Sequence, residues 1–251
     1  INSSSPTALS QKGSGSIKAP EIDVVGGIET KGNVSLAADV QKIGAPSIAD
    51  PYAALPLPST TPCGWGNLNY SSATSPGGTQ TLTPGVYCGG LSISGKKTNV
   101  TLTPGLYVMV GGDFSVTSNA AVTGVGVTIV TIPAGGKSST VYFHSGANVT
   151  LSAQTTGPYK GVAVYATGGT AAAPDCVTWN GGPSVSINGA LYMPHTSLTT
   201  SGGLSSAGGC IQIVAWQVHF GGNAALATAN CANFGTTLIG ADAGRRVVLT
   251  D

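Results

Sequence analysis

The chain carries little charge. Asp, Glu, Lys and Arg make up 8% of its 251 residues, against about 25% in ordinary soluble domains. The net charge is +1, with no basic cluster beyond Lys96-Lys97 and Arg245-Arg246. Nucleic-acid binding draws on many phosphate contacts, so it is set aside. No apolar run reaches the length of a membrane span, about 18 residues. No Cys-x-x-Cys occurs and no His stands at ligand spacing from a Cys, which argues against zinc. No Gly-x-Ser-x-Gly marks a nucleophile turn. After Asp50 the acidic residues are Asp113, Asp175, Asp242 and Asp251, each alone in sequence. The paired carboxylates of a glycoside hydrolase and the acidic calcium ligands of a uronate lyase are therefore not visible. No catalytic residue, metal ligand or cofactor is assigned. No signal peptide opens the chain, and its abrupt start at Ile1 reads as a processed or excised segment.

What the chain has is glycine, hydroxyls and a repeat. Gly accounts for 38 residues, and these punctuate alternating runs instead of forming a linker. Thr81-Leu82-Thr83-Pro84-Gly85-Val86-Tyr87 returns as Thr101-Leu102-Thr103-Pro104-Gly105-Leu106-Tyr107. Each copy leads to Gly-Gly and an alternating strand, Leu91-Ser92-Ile93-Ser94 and Phe114-Ser115-Val116-Thr117. A repeat of about 20 residues marks a solenoid, in which each unit buries its apolar face against the next. The pattern predicts an all-β fold: a single-stranded, right-handed parallel β-helix of about 8 to 10 coils with Pro/Gly-rich loop insertions. Inward positions are predicted at Leu82, Leu91, Ile93, Leu102, Phe114, Val116, Ile129, Phe143, Leu151 and Val164. The loops 134–138 and 154–159 are predicted at corners.

One elongated domain is expected over 1–251, with early coils at 1–46, an insertion at 47–80 and the main coils at 81–251. Within the insertion, Asp50-Pro51-Tyr52-Ala53-Ala54-Leu55-Pro56 reads as a short helix, with Asp50 at the N-cap and Pro51 at N1. Asp23 and Glu29 read as solvent-facing strand positions rather than a site. So do His144 and His219, while His195 carries no motif. Uncapped end coils would invite strand addition, including self-association.

Five cysteines are present. Pairing Cys63 with Cys88 and Cys210 with Cys231 closes loops of about 20 to 25 residues, each worth about 3 kcal/mol. That implies an oxidising, extracytoplasmic location. Cys176 is left unpaired, as a small buried residue or an intermolecular link. Trp65, Trp179, Trp216, Tyr70, Tyr159 and Tyr192 offer stacking surfaces for sugars, though lone aromatics on a solenoid more often pack under loops.

The phrase Asp50–Pro56, then Cys63, then Pro84-Gly85-Val86-Tyr87-Cys88-Gly89-Gly90-Leu91, resembles the C-terminal region of TadG-like proteins. So does Cys210-Ile211-Gln212-Ile213-Val214-Ala215, followed by Phe220-Gly221-Gly222-Asn223 and Cys231. The resemblance covers nearly the whole chain. It implies a non-catalytic structural or interaction protein of the bacterial cell envelope, serving Tad/Flp pilus assembly or surface adhesion. Its partners would be pilus or envelope proteins, and its membrane anchor a helix absent from this sequence. The matched cysteines support the two pairings. The alternative is a carbohydrate-binding or carbohydrate-active β-helix contacting surface glycans. The Thr-x-Thr-Pro-Gly-Val-Tyr phrase also resembles ice-binding-like adhesive solenoids, but Thr81/Thr83 and Thr101/Thr103 make only two ranks.

Overall fold

The computed structural model is all-β and winds parallel strands into a solenoid of about 9 turns. It describes the chain apart from residues 2, 15, 72–78, 181–183, 202, 207, 222–224, 229 and 238–251, and apart from the side chains of 16, 18–21 and 225. Asp242, Arg245, Arg246 and Asp251 thus lie outside the described residues, as do Gly222 and Asn223.

Each turn crosses three sheet faces. Face one stacks the first half of β7 (Gly85–Ser94), β9 (Gly105–Val110), β12 (Val127–Ile132), β15 (Val162–Ala166), the middle of β17 (Ser184–Thr200) and the first half of β19 (Ile211–Gly221). Face two stacks β5 (Trp65–Ser71), the second half of β7, β10 (Phe114–Thr117), β13 (Val141–Phe143), β16 (Asp175–Trp179) and the ends of β17 and β19. Face three stacks β6 (Thr79–Leu82), β8 (Asn99–Leu102), β11 (Ala121–Gly124), β14 (Asn148–Ser152), the start of β17, β18 (Gly203–Ser205) and β20 (Ala225–Leu226). Alternation in each strand sends every second side chain inward. All ten predicted inward residues are buried, none above 7% exposed. The loops 134–138 and 154–159 do turn corners, between faces one and two and between faces three and one.

The repeated phrase sets two registers. Across β6 and β8, Leu82 faces Leu102, the 20-residue offset of the copies. Past the Pro-Gly corner Cys88 faces Val110, matching the longer interval between the Gly-Gly pairs. Tyr87 and Tyr107 enter the core just after the corner and stack at 5.9 Å. Each phenol donates back to the corner it follows, Tyr87 to Thr83 O at 2.6 Å and Tyr107 to Thr103 O at 2.9 Å. The Gly-Gly corners pack backbone on backbone. Gly90 adopts φ +87°, and a Cβ there would run into the backbone of Asp113 on the next turn.

The stacking order departs from the sequence order. β1 (Leu9–Gly13) pairs with β19, and β2 (Ser16–Val24) pairs with β20. β3 (Ile28–Gly32) and β4 (Ser35–Ile43) then lie on β1 and β2. The first residues therefore build the far end of the rod, beyond the last turns of the chain, while β5 and β6 form the opposite end. Glu29 pairs with Lys31 at 3.1 Å and Asp23 with Lys42 at 3.7 Å, as ion pairs on the N-terminal turns.

The connection from Ile43 to Trp65 must span the whole rod. Eight steps of about 4.8 Å come to about 40 Å, well within the roughly 70 Å that about 20 extended residues can reach. It runs down face one as a strap. Ala45 N–H donates to Val24 O at one end, and Cys63 is bonded to Cys88 (S–S 1.85 Å) at the other. Between them Tyr52 is buried among the outward residues Val130, Tyr165, Ala190 and Tyr192. Residues 51–54 form turns instead of the expected helix. The capping bond survives, because Asp50 Oδ1 accepts the Tyr52 N–H at 2.9 Å, but Pro56 and the contacts of the strap with the face beneath hold the rest extended. The second disulfide, Cys210–Cys231 (S–S 2.06 Å), ties the start of β19 to a short 3-10 turn, Cys231–Phe234.

Strap and face are joined by phenols. Tyr192 donates to Asp50 Oδ2 at 2.7 Å, Tyr52 to Gln212 Oε1 at 2.6 Å and Tyr159 to Pro56 O at 3.0 Å. Burial pushes the Tyr52 phenol up to about 12, and burial with the neighbouring Asp50 carboxylate raises Tyr192 as well. A phenol whose pKa is higher in the folded state stabilises the fold fully below the unfolded value, about 10, and loses that contribution as pH rises through the folded value. Resistance to urea is therefore expected to fall between about pH 10 and pH 12, and Tyr52→Phe should flatten that fall. Denaturation followed by circular dichroism across this range measures it.

Candidate functional site

On face two the ladder is interrupted. β16 pairs with β17 over its full length, from Asp175↔Thr196 to Trp179↔Thr200. Toward β13 it makes only one bridge, His144↔Asn180. Side chains substitute for the missing ladder bonds. The buried Trp179 indole donates to Val141 O at 2.9 Å, and His144 Nε2 donates to Thr178 O at 2.7 Å. The loops 133–140 and 167–174 hold the splayed strands apart, because each adds residues just before β13 or β16 begins.

The split opens a polar cleft of about 550 Å³. Asp113, Tyr142, His144, Asp175, Cys176 and Asn180 line it, with strand hydroxyls between. Tyr142 and His144 are two apart on one strand, so both point outward, and their rings stack at 3.8 Å and 13°. This gives a partly exposed aromatic platform. Asp113 Oδ1 accepts the Thr140 N–H at 2.9 Å and its hydroxyl at 3.2 Å, so that carboxylate secures the loop end.

Neighbouring turns thus bring together residues that are isolated in sequence, namely Asp113, His144, Asp175 and Cys176. Cys176 is free and exposed, which excludes the expectation of a small buried residue. His144 commits Nε2 to a carbonyl, so that nitrogen serves as a donor, not as a base toward Cys176. Among the described residues no group of three or more His, Cys, Asp or Glu is placed to hold a metal ion. The arrangement suits binding of a polar ligand: an aromatic face for apolar edges, with carboxylates and hydroxyls around it. The aromatics singled out for sugar stacking lie elsewhere. Trp179 is in the core, and Tyr159 and Tyr192 are packed under the strap. Trp65 is 42% exposed but stacks on Tyr87 at the β5 end. Tyr142 was the aromatic to find; its position between the inward Val141 and Phe143 already aims it outward. His195 and His219 belong to β17 and β19 and are not among the residues that line the cleft.

Face three carries a second ordered surface. In register, Thr81, Thr101, Thr123, Thr150, Ser186 and Ser205 form one outward file. The hydroxyls of Thr101 and Thr123 approach to 3.5 Å. Beside it runs Thr79, Asn99, Ala121, Asn148 and Ser184. No residue of either file is charged. The threonine rank is therefore longer than the two copies of the phrase indicate, since Thr123 and Thr150 join it from other contexts. Thr83 and Thr103 do not form a second rank on this face. They follow the ends of β6 and β8, and Thr103 bonds back to Leu82 O through both N–H (3.0 Å) and hydroxyl (3.1 Å).

No known protein-family profile, curated protein or solved structure matches the chain. No helix among the described residues is long and apolar enough to cross a membrane.

The exposure of Cys176 has a direct readout. The native protein is expected to titrate one thiol with a disulfide-exchange reagent, and Cys176→Ser to titrate none. Full reduction and unfolding should release all five.

Proposed function

We propose that this chain is a non-catalytic structural and interaction module of the bacterial cell envelope, working outside the cytoplasm in Tad/Flp pilus assembly or surface adhesion. The observation that carries the reading is the strapped, doubly disulfide-bonded solenoid itself. The motifs that resemble those of TadG-like proteins coincide with the elements that lock it, namely Asp50 to Pro56 on the strap, Cys63–Cys88, and Cys210 to Ala215 with Cys231, and this supports the reading. Such bonds persist in oxidising compartments. A rod of this kind offers long surfaces at fixed spacing without a flexible joint. Deleting the parent gene from a bacterium that makes Tad pili is expected to reduce surface pili or adherence. Unchanged piliation and adherence would overturn the reading.

The cleft favours a second reading, in which the rod holds a surface glycan at Tyr142 and His144. A glycan array is expected to return a small set of related glycans, with signal lost in Tyr142→Ala and kept in Tyr70→Ala. Equal signal in both variants, or none in either, removes it. Inhibition of ice recrystallisation by the native protein, lost in Thr123→Lys, would move the function to the threonine file instead.

A further inference from the structure

Most turns have a strand on each face, but the turn that follows β19 and β20 in the stack is incomplete. Its face-two strand is β1, paired with Val218 to Gly221, and its face-three strand is the start of β2, paired with β20. On face one no described strand belongs to it. Ile211 to Ala215 pairs with β17 on one side, and Ile22 to Val24 pairs with β4 on one side. No described strand pairs with the sides that face each other. Between them lies an apolar crevice of about 280 Å³, walled by Ile17, Ile22, Ile211, Ile213 and Phe220. A second hollow of about 250 Å³ adjoins it, sharing Ile1, Ile213 and Val218 and reaching Trp216.

Ile1 stands at the mouth of both. Its N–H donates to Asp23 O at 2.6 Å, and its C=O accepts the Val25 N–H at 2.9 Å. Those two bonds straddle Val24, which is how one residue of a parallel strand meets its neighbour. Ile1 is therefore placed as the last rung of a face-one strand, and the crevice occupies the positions of the rungs before it. Burial also lowers the pKa of the Ile1 ammonium. A peptide nitrogen at that position would make the same bond to Asp23 without a charge to desolvate.

We propose that the crevice seats one extended β-strand, formed by the polypeptide that leads into Ile1 in a longer chain and running parallel between β19 and β2. About four residues fill it, opposite Ile211 to Val214. Alternate residues point inward between Ile213 and Ile22, so those are apolar. A strand from a second copy would have to displace Ile1 from Val24, and a small apolar molecule would leave both backbone edges unpaired. The strand ending in Ile1 does neither. This goes beyond the pilus reading and does not depend on it. It makes the junction with whatever precedes Ile1 a structural part of the rod, not a tether.

The test compares two extended chains. One carries Gly-Ala-Leu-Tyr before Ile1, copied from the same face at Gly189 to Tyr192. The other carries Gly-Pro-Asp-Gly, whose proline cannot donate to a ladder. Amide hydrogen exchange across Ile211 to Ala215 and Ile22 to Val24 is expected to slow about tenfold or more in the first chain relative to the second, with both monomeric by sedimentation. Equal exchange in the two chains would overturn the proposal. So would protection in the unextended chain that grows with concentration, which assigns the crevice to a second copy.

Discussion

The structure depends on one constraint: the backbone edge of each turn must be hydrogen-bonded by the turn above and the turn below. Each turn also buries its inward side chains against those of its neighbours, so stacking serves pairing and burial at once. On face three the ladder runs unbroken from β6 to β14 although the turns grow longer, because the added residues leave the stack at the corners of other faces. Where a loop is inserted directly before a strand the ladder can part, and the backbone groups left over take side-chain partners. The cleft at β13 and β16 is such a place, and the indole of Trp179 is what makes it tolerable.

A second constraint is the scarcity of charge. With few ion pairs available, the outer surface is built from hydroxyls and amides, and order on it comes from register. The threonine file is a consequence of strand stacking, not of local sequence. The strap shows the same economy. It is held by three phenolic hydrogen bonds, a small apolar cluster and one disulfide, with Asp50 as the ionisable group among those phenols.

Much of the fold was legible from the chain. Period-two alternation fixed the inward residues, and the spacing of the cysteines gave both bonds. The cleft and the stacking order were not legible, for a shared reason. Tyr142, Asp113 and Asp175 meet only because turns of unequal length are superposed, and no single segment records that. Likewise Leu9 against Val218 is a pairing between opposite ends of the chain. Any alternating strand fits any other at this level of description, so early coils at 1–46 were visible as coils but not as neighbours of β19. The short helix expected at Asp50 failed because a local capping signal was overridden by the need to run extended along the rod.

The misplaced first turns also constrain how the molecule is made. Residues 1–43 leave the ribosome well before the surface they rest on, β19 and β20, is made. Until then they have no ladder to join, and their nascent form must stay soluble on its own. Lys12, Lys31, Lys42, Glu29 and Asp39 place much of this protein's scarce charge on the segment that waits. Closure at this end of the rod is thus a long-range event, which high sequence separation makes slow.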